Sequence, residues 1–167
     1  MKLQVGRNEL LSALQAVIGV VERRQTLPVL SNFLLETKDD ELIVTGTDLE
    51  IELESRARVQ NIAPGRITVP ARKLFDICRG LPEGAEIQLE STADKATLKS
   101  GRSRYSLACL KADEYPAMGQ AADGRSLTLK HGQLKAIFER TQFAMAQQDV
   151  RYYLNGMLLE ITANRVR

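Results

Sequence analysis

Residues 3–14, LQVGRNELLSAL, return 124 positions later as LTLKHGQLKAIF, residues 127–138. Leu3 meets Leu127, Val5 meets Leu129, Leu10 meets Leu134 and Leu14 meets Phe138. The same spacing, without a gap, lays Leu34-Leu35-Glu36 on Leu158-Leu159-Glu160. A shorter echo has an offset of 64, where ITVPARKLFDIC (67–78) pairs Leu3 with Ile67, Val5 with Val69, Leu10 with Leu74, Leu11 with Phe75 and Leu14 with Cys78. Short apolar patterns recur by chance, so either echo alone is weak. Together they describe a strand–helix–strands unit used twice in a domain, and a domain used at least twice in the chain. The first domain is expected over residues 1–122, and a linker with the start of a second domain over 123–167. The second copy reaches only its second strand by residue 167, so the chain is expected to be a fragment of a longer protein.

Local patterns supply the elements. KLQV alternates and predicts a strand, and Leu10, Leu11, Leu14, Val17 and Ile18 recur at helical spacing. VLSNFLLET and ELIVTG are apolar runs joined by KDDE, which predicts a hairpin. From 49 to 60 the odd positions read Leu, Ile, Leu, Ser, Ala, Val and the even positions Glu, Glu, Glu, Arg, Arg, Gln. That alternation predicts one long strand with a buried face and a wet, acidic face. RITV predicts a strand, and PARKLFDICRGL a helix with Pro70 at its first position. AEIQLE, KATLKS and RSRYSLACL predict an antiparallel meander, and KADEYPAMGQAADG reads as a linker. The fold class is α+β, with helices on one side and antiparallel sheets on the other.

The chemistry of catalysis is thin. The one histidine, His131, opens the third helix with no Ser or Cys and orienting carboxylate near it in sequence. Asp48 and Glu50 form an acidic pair, but a turn explains Asp48 better. Cys78 falls on the apolar face of its helix, and the two cysteines form no CxxC pair. There is no metal-ligand spacing and no phosphate-cradling glycine motif. Neither a cofactor nor a metal is expected. The apolar runs are too short to cross a bilayer and the N-terminus lacks a signal-peptide core, so a cytoplasmic location is expected.

Net charge is only +2, so the distribution of charge carries the information. Arg72, Asp76 and Arg79 lie along one stripe of the second helix with Lys73 beside it, and Arg23 and Arg24 follow the first helix. The long strand carries Glu50, Glu52 and Glu54. A mildly basic helix side and an acidic sheet patch suit a phosphate backbone held without base reading. The same residues also read as ordinary solvated charges, some offset by Asp76 and Glu139. In GRSRYSL, Arg102 and Arg104 share one face of a strand and Tyr105 and Leu107 the other, as in an edge that pairs with another chain or an interior strand with snorkelling arginines.

The segments TLPVLSNFLLE, VTGTDLE, TVPARKLFDICRGLPEGAEI, SGRSRYSL, DEYP and TQFAMAQQDVRYYLNGMLLE closely resemble the bacterial DNA polymerase III beta subunit family, the DNA sliding clamps. The resemblance covers essentially the whole chain. It implies three similar domains per full chain and two chains closed head-to-tail into a ring. Helices would line the hole and sheets the outside, with duplex DNA held by positive charge and no sequence reading. Polymerase III subunits and the clamp loader would dock short peptide motifs between the second and third domains.

Carried over by position, the resemblance assigns Arg24, Arg72, Arg79, Gln148, Tyr152 and Tyr153 to DNA contact. It assigns Lys73, Arg102, Arg104, Tyr105 and Leu107 to the homodimer interface, with Tyr105 where a common version has phenylalanine. Arg151 and Leu154 fall at the edge of the peptide pocket. Residues 1–167 by themselves are expected neither to close the ring nor to bind such peptides well, since a head-to-tail interface needs both of its unlike halves. Two other readings stay open on the residues alone. One is a generic oligomeric α+β binding module whose basic helices are incidental, and the other an enzyme using His131 or the Asp48/Glu50 pair.

Overall fold

The computed structural model describes residues 1–21, 27–116, 127–147, 149–162 and 165–167. The chain divides into two compact units, Met1–Gly119 and Gln120–Arg167. Among the described residues no helix is long and apolar enough to cross a membrane.

Unit 1 runs β1 (Lys2–Gly6), α1 (Arg7–Val17), β2 (Asn32–Lys38), β3 (Glu41–Thr47), β4 (Glu52–Arg58), β5 (Gln60–Ala63), β6 (Arg66–Pro70), α2 (Ala71–Gly80), β7 (Glu86–Ser91), β8 (Lys95–Ser100) and β9 (Ser103–Ala108). Two antiparallel sheets result, one in the order β4-β3-β2-β6 and the other β5-β1-β7-β8-β9. Both sheets and both helices feed one core. Leu10, Ala13, Leu14 and Val17 put a buried stripe on α1, and Ala71, Leu74 and Cys78 do so on α2. They meet Phe33 and Leu35 of β2, Leu42 and Val44 of β3, Ile87 and Leu89 of β7 and Leu98 of β8 in that cluster.

The predicted hairpins form, with tight two-residue turns. Lys38 pairs with Glu41 across Asp39-Asp40, and Ser100 pairs with Ser103 across Gly101-Arg102. Asp39 and Gly101 take left-handed φ values of 52° and 53°, which a short polar side chain tolerates and glycine adopts freely.

The long strand predicted over 49–60 is not one strand. The carboxylate of Asp48 accepts hydrogen bonds from the backbone N–H groups of Glu50 (2.9 Å) and Ile51 (2.8 Å), which folds the chain into a turn before β4. Leu49 sits there at φ 80° and is 48% exposed, and Ile51 is 54% exposed, so the expected burial of both is wrong. At the other end, buried Val59 donates its N–H to the carbonyl of Asp40 at 2.9 Å. The chain there leaves the edge of one sheet, β4, and enters the edge of the other, β5. Alternation continues through the crossing because both strands turn one face to the same core.

Three smaller expectations also change. Pro70 ends β6 and precedes the helix rather than opening it. The linker reading of 111–124 fails at its start, where Tyr115 is buried and its hydroxyl donates to the carbonyl of Thr45 at 3.3 Å. The rest of that stretch, 117–124, lies outside the described residues. Residues 127–130 are not a strand. Their counterpart β1 is held between β5 and β7, and among the described residues of 127–167 no strand stands in the place of either.

Unit 2 holds α3 (His131–Thr141) and a short hairpin of β10 (Ile161–Thr162) and β11 (Arg165–Val166). The 124-residue offset survives in three dimensions. It superposes the bounds of α1 on those of α3, the following 3-10 turn Ile18–Val20 on Gln142–Ala144, and the turn Pro28–Ser31 on Tyr152–Asn155. It also maps the pairs Thr37↔Leu42 and Lys38↔Glu41 onto Ile161↔Val166 and Thr162↔Arg165.

Candidate nucleic-acid interface

The basic residues of unit 1 are positioned mainly by α2. Its apolar stripe faces the core, which leaves Arg72, Lys73, Asp76 and Arg79 exposed. Arg79 makes a 3.1 Å ion pair with Asp76 one turn earlier and lies 5.8 Å from the centre of the Phe75 ring. Both ends of that pair are well exposed, so it holds the guanidinium loosely. Arg72 is anchored differently, donating from Nη2 to the carbonyl of Val21 at 2.8 Å. The C-terminal end of α2 is itself closed by Arg7, whose Nε and Nη2 donate to the carbonyls of Cys78 (3.1 Å) and Arg79 (3.2 Å). A cation there satisfies orphan carbonyls and complements the helix dipole. Sequence patterning missed this role, because Arg7 and its partners are 71 and 72 positions apart.

Arg24 and Gln148, two of the residues assigned to DNA contact, lie outside the described residues. Tyr152 and Tyr153 are 83% and 66% exposed on the turn of unit 2. Their rings meet edge-to-face, with centroids 6.0 Å apart and planes at 78°. Both stand on the tight 3-10 turn Tyr152–Asn155.

β9 is the outermost strand of the five-stranded sheet and hydrogen-bonds only to β8 within it. Arg102 in the preceding turn and Arg104 in the strand are exposed, Tyr105 is half-buried against the core, and Leu107 is buried opposite Ala96. Leu107 therefore spends its side chain inward. On the other sheet the acidic patch is partly neutralised, since Arg56 bridges Glu41 (3.2 Å) and Glu54 (3.0 Å).

At the predicted pocket edge, Arg151 grips Asp149 with Nε to Oδ1 at 3.1 Å and Nη2 to Oδ2 at 3.0 Å. This guanidinium, with the backbone N–H of Arg151, holds the Asp149 carboxyl below the usual carboxylate range. Leu154 is half-buried on the same turn. Beside it, Ile137, Phe138, Thr141, Met145, Met157 and Leu159 line an apolar cleft of about 300 Å³. These positions correspond to Ala13, Leu14, Val17, Val21, Phe33 and Leu35, all buried in unit 1. The cleft is thus the half-built core of a second copy of the unit. His131 is exposed at the start of α3, and among the described residues no cluster of His, Cys, Asp or Glu is placed to hold a metal ion.

A two-sheet unit with paired helices, repeated along one chain, defines the DNA-clamp class of fold. The chain matches the solved sliding clamp of Pseudomonas aeruginosa bound to griselimycin with a TM-score of 0.93 and 48% identity, over 99% of this chain and 45% of that one. The beta subunit structure from Caulobacter crescentus aligns at TM-score 0.91 and 37% identity, over 99% of this chain and 45% of that one. Beta sliding clamps of Pseudomonas putida and Escherichia coli are 51% and 50% identical across the whole chain, which spans 46% of each. Residues 1–119 match the N-terminal domain of the DNA polymerase III beta subunit and residues 128–167 its central domain. The chain belongs to the DNA polymerase III beta subunit family.

Proposed function

We propose that this chain is part of a sliding clamp that encircles duplex DNA as a head-to-tail homodimeric ring and tethers the replicative polymerase. The observation that carries the reading is the end-to-end likeness to sliding clamps at about half identity, over both matched domains. The role is one of holding rather than catalysis. Arg72 and Arg79, with Arg24, Gln148, Tyr152 and Tyr153, touch the phosphate backbone. The exposure of Arg72, Arg79 and both tyrosines supports that assignment. Lys73, Arg102 of the turn before β9, and Arg104, Tyr105 and Leu107 of β9 itself form one half of the ring interface, for which an outermost strand is suited. Arg151 and Leu154 border the pocket that takes peptide motifs of polymerase subunits and the clamp loader. The place of action is the cytoplasm.

The test uses the protein at the full length of its relatives. It is expected to be retained on circular duplex DNA and lost from linear DNA, which a generic binding module would not distinguish. Substituting Arg72→Gln and Arg79→Gln together is expected to lower the salt slope of DNA binding by about two phosphate contacts, without changing sequence preference. An unchanged slope would remove these residues from the interface. Retention that survives linearisation would sink the ring.

A further inference from the structure

The register of the five-stranded sheet places Arg7. β1 pairs with β7 up to Gly6↔Glu86, and the next residue, Arg7, donates its backbone N–H to the carbonyl of Ala85 at 2.8 Å. Ala85 lies six residues beyond Arg79, where the chain returns from α2 to the sheet. Arg7 is thereby fixed beside the C-terminal end of a helix to which it does not belong. Its Nε and Nη2, on one edge of the guanidinium, reach the carbonyls of Cys78 and Arg79, and Nη1 donates to Asn8 Oδ1 at 3.0 Å. Each of the three nitrogens thus has a partner within the protein.

The last turn of α2 is weakly held without this grip. The helix is ten residues long and ends on Gly80, and short helices and glycine both favour fraying. The N–H of Leu81 approaches the Cys78 carbonyl at 3.4 Å, a long bond. Within a helix the Arg79 carbonyl would accept from Glu83, but α2 has ended by then. The Arg79 side chain depends on that turn, because Asp76 and the Phe75 ring, which it meets, stand three and four positions back on the same helix. The other end of α2 has a separate tie, from Arg72 to the Val21 carbonyl. The two arginines assigned to phosphate are therefore positioned independently.

We propose that Arg7 is a positioning residue for DNA contact. Its two-pronged grip on the Cys78 and Arg79 carbonyls keeps the last turn of α2 in shape and so places the Arg79 guanidinium for a phosphate, while Arg7 itself touches no DNA. The inference rests on the reading of Arg79 as a phosphate contact.

The test measures affinity for short duplex DNA across a range of salt concentrations, with the protein at the full length of its relatives. Arg79→Gln is expected to lower the salt slope by about one. An unchanged slope there removes Arg79 from the interface, and this role of Arg7 with it. Arg7→Gln is also expected to lower the slope by about one, and the Arg7→Gln, Arg79→Gln pair by no more than Arg79→Gln alone. Arg7→Gln with Arg72→Gln should lose about two, since Arg72 is tied elsewhere. Arg7→Lys keeps the charge but not the planar fork, and is expected to behave as Arg7→Gln. If Arg79→Gln lowers the slope but Arg7→Gln leaves it intact and merely lowers the melting temperature, Arg7 is structural and the proposal is overturned while the clamp reading stands. Additive losses on combining Arg7→Gln with Arg79→Gln also overturn it, because Arg7 would then touch phosphate directly. So does an unmodified slope in Arg7→Lys, which would reduce the role to charge. Should Arg7→Gln fail to fold, the Arg7→Lys slope decides by itself.

Discussion

Burial of single titratable groups makes the fold sensitive to alkali. Burial pushes the Cys78 thiol up to about 12, the Cys109 thiol to about 11 and the Tyr115 phenol to about 12. Each value is raised above that of the unfolded chain, so the unfolded state releases these protons first. Stability is full below about pH 9 and falls as pH rises from there towards 12. Urea midpoints measured from pH 8 to 11 should decline. Tyr115→Phe should flatten the upper part of that decline, at a cost of about 1 kcal/mol near neutrality for the lost hydrogen bond. An equally steep decline in the variant would mean that Tyr115 does not contribute. The sequence pointed to Cys78 as core through its helical stripe. It gave no such sign for Tyr115, whose partners Val29, Leu30 and Leu34 lie some eighty residues earlier.

At the scale of elements, the contact between α1 with its following turn and β3 leaves no space for an added methyl. A Cβ at Gly46 of β3 would lie 2.6 Å from Val17 Cγ1 and 3.0 Å from Val20 Cγ1. Gly46→Ala is expected to destabilise by about 1–3 kcal/mol, because helix and strand must part. Gly80→Ala, at the end of α2 with open space around it, serves as the control and should be neutral or slightly stabilising. Thermal melts of the two variants compare them directly, and equal melting temperatures would deny the close packing. The helices and hairpins were legible because apolar spacing and turn residues are local signals. The division of residues 49–63 into a turn and two strands of different sheets was not, since alternation reports facing and not partners.

Over the whole chain, packing is uneven. Unit 1 contains the buried core, whereas no described residue between 127 and 167 is fully buried. Exposed Phe143, Val150 and Leu158 (85%, 96% and 90%) show how much apolar surface unit 2 leaves uncovered. Hydrogen exchange of a polypeptide of residues 1–167 should find the amides of β1, β7 and β8 slowest and those of α3 close to unprotected. Comparable protection of α3 would mean that unit 2 is covered in solution by an association, which light scattering would detect.

The sequence alone determined the repeat and its 124-residue offset, the type of most elements and the family. Periodicity and motif order are properties of the chain read in line. Only the tertiary structure decided that β9 is an outermost strand, that the chain changes sheets at Val59, that Arg7 closes the end of α2 and that Tyr115 lies over the outer face of β2. Each of these depends on groups brought together by folding the chain back on itself, and no local pattern of apolar and polar residues encodes which distant group will be met.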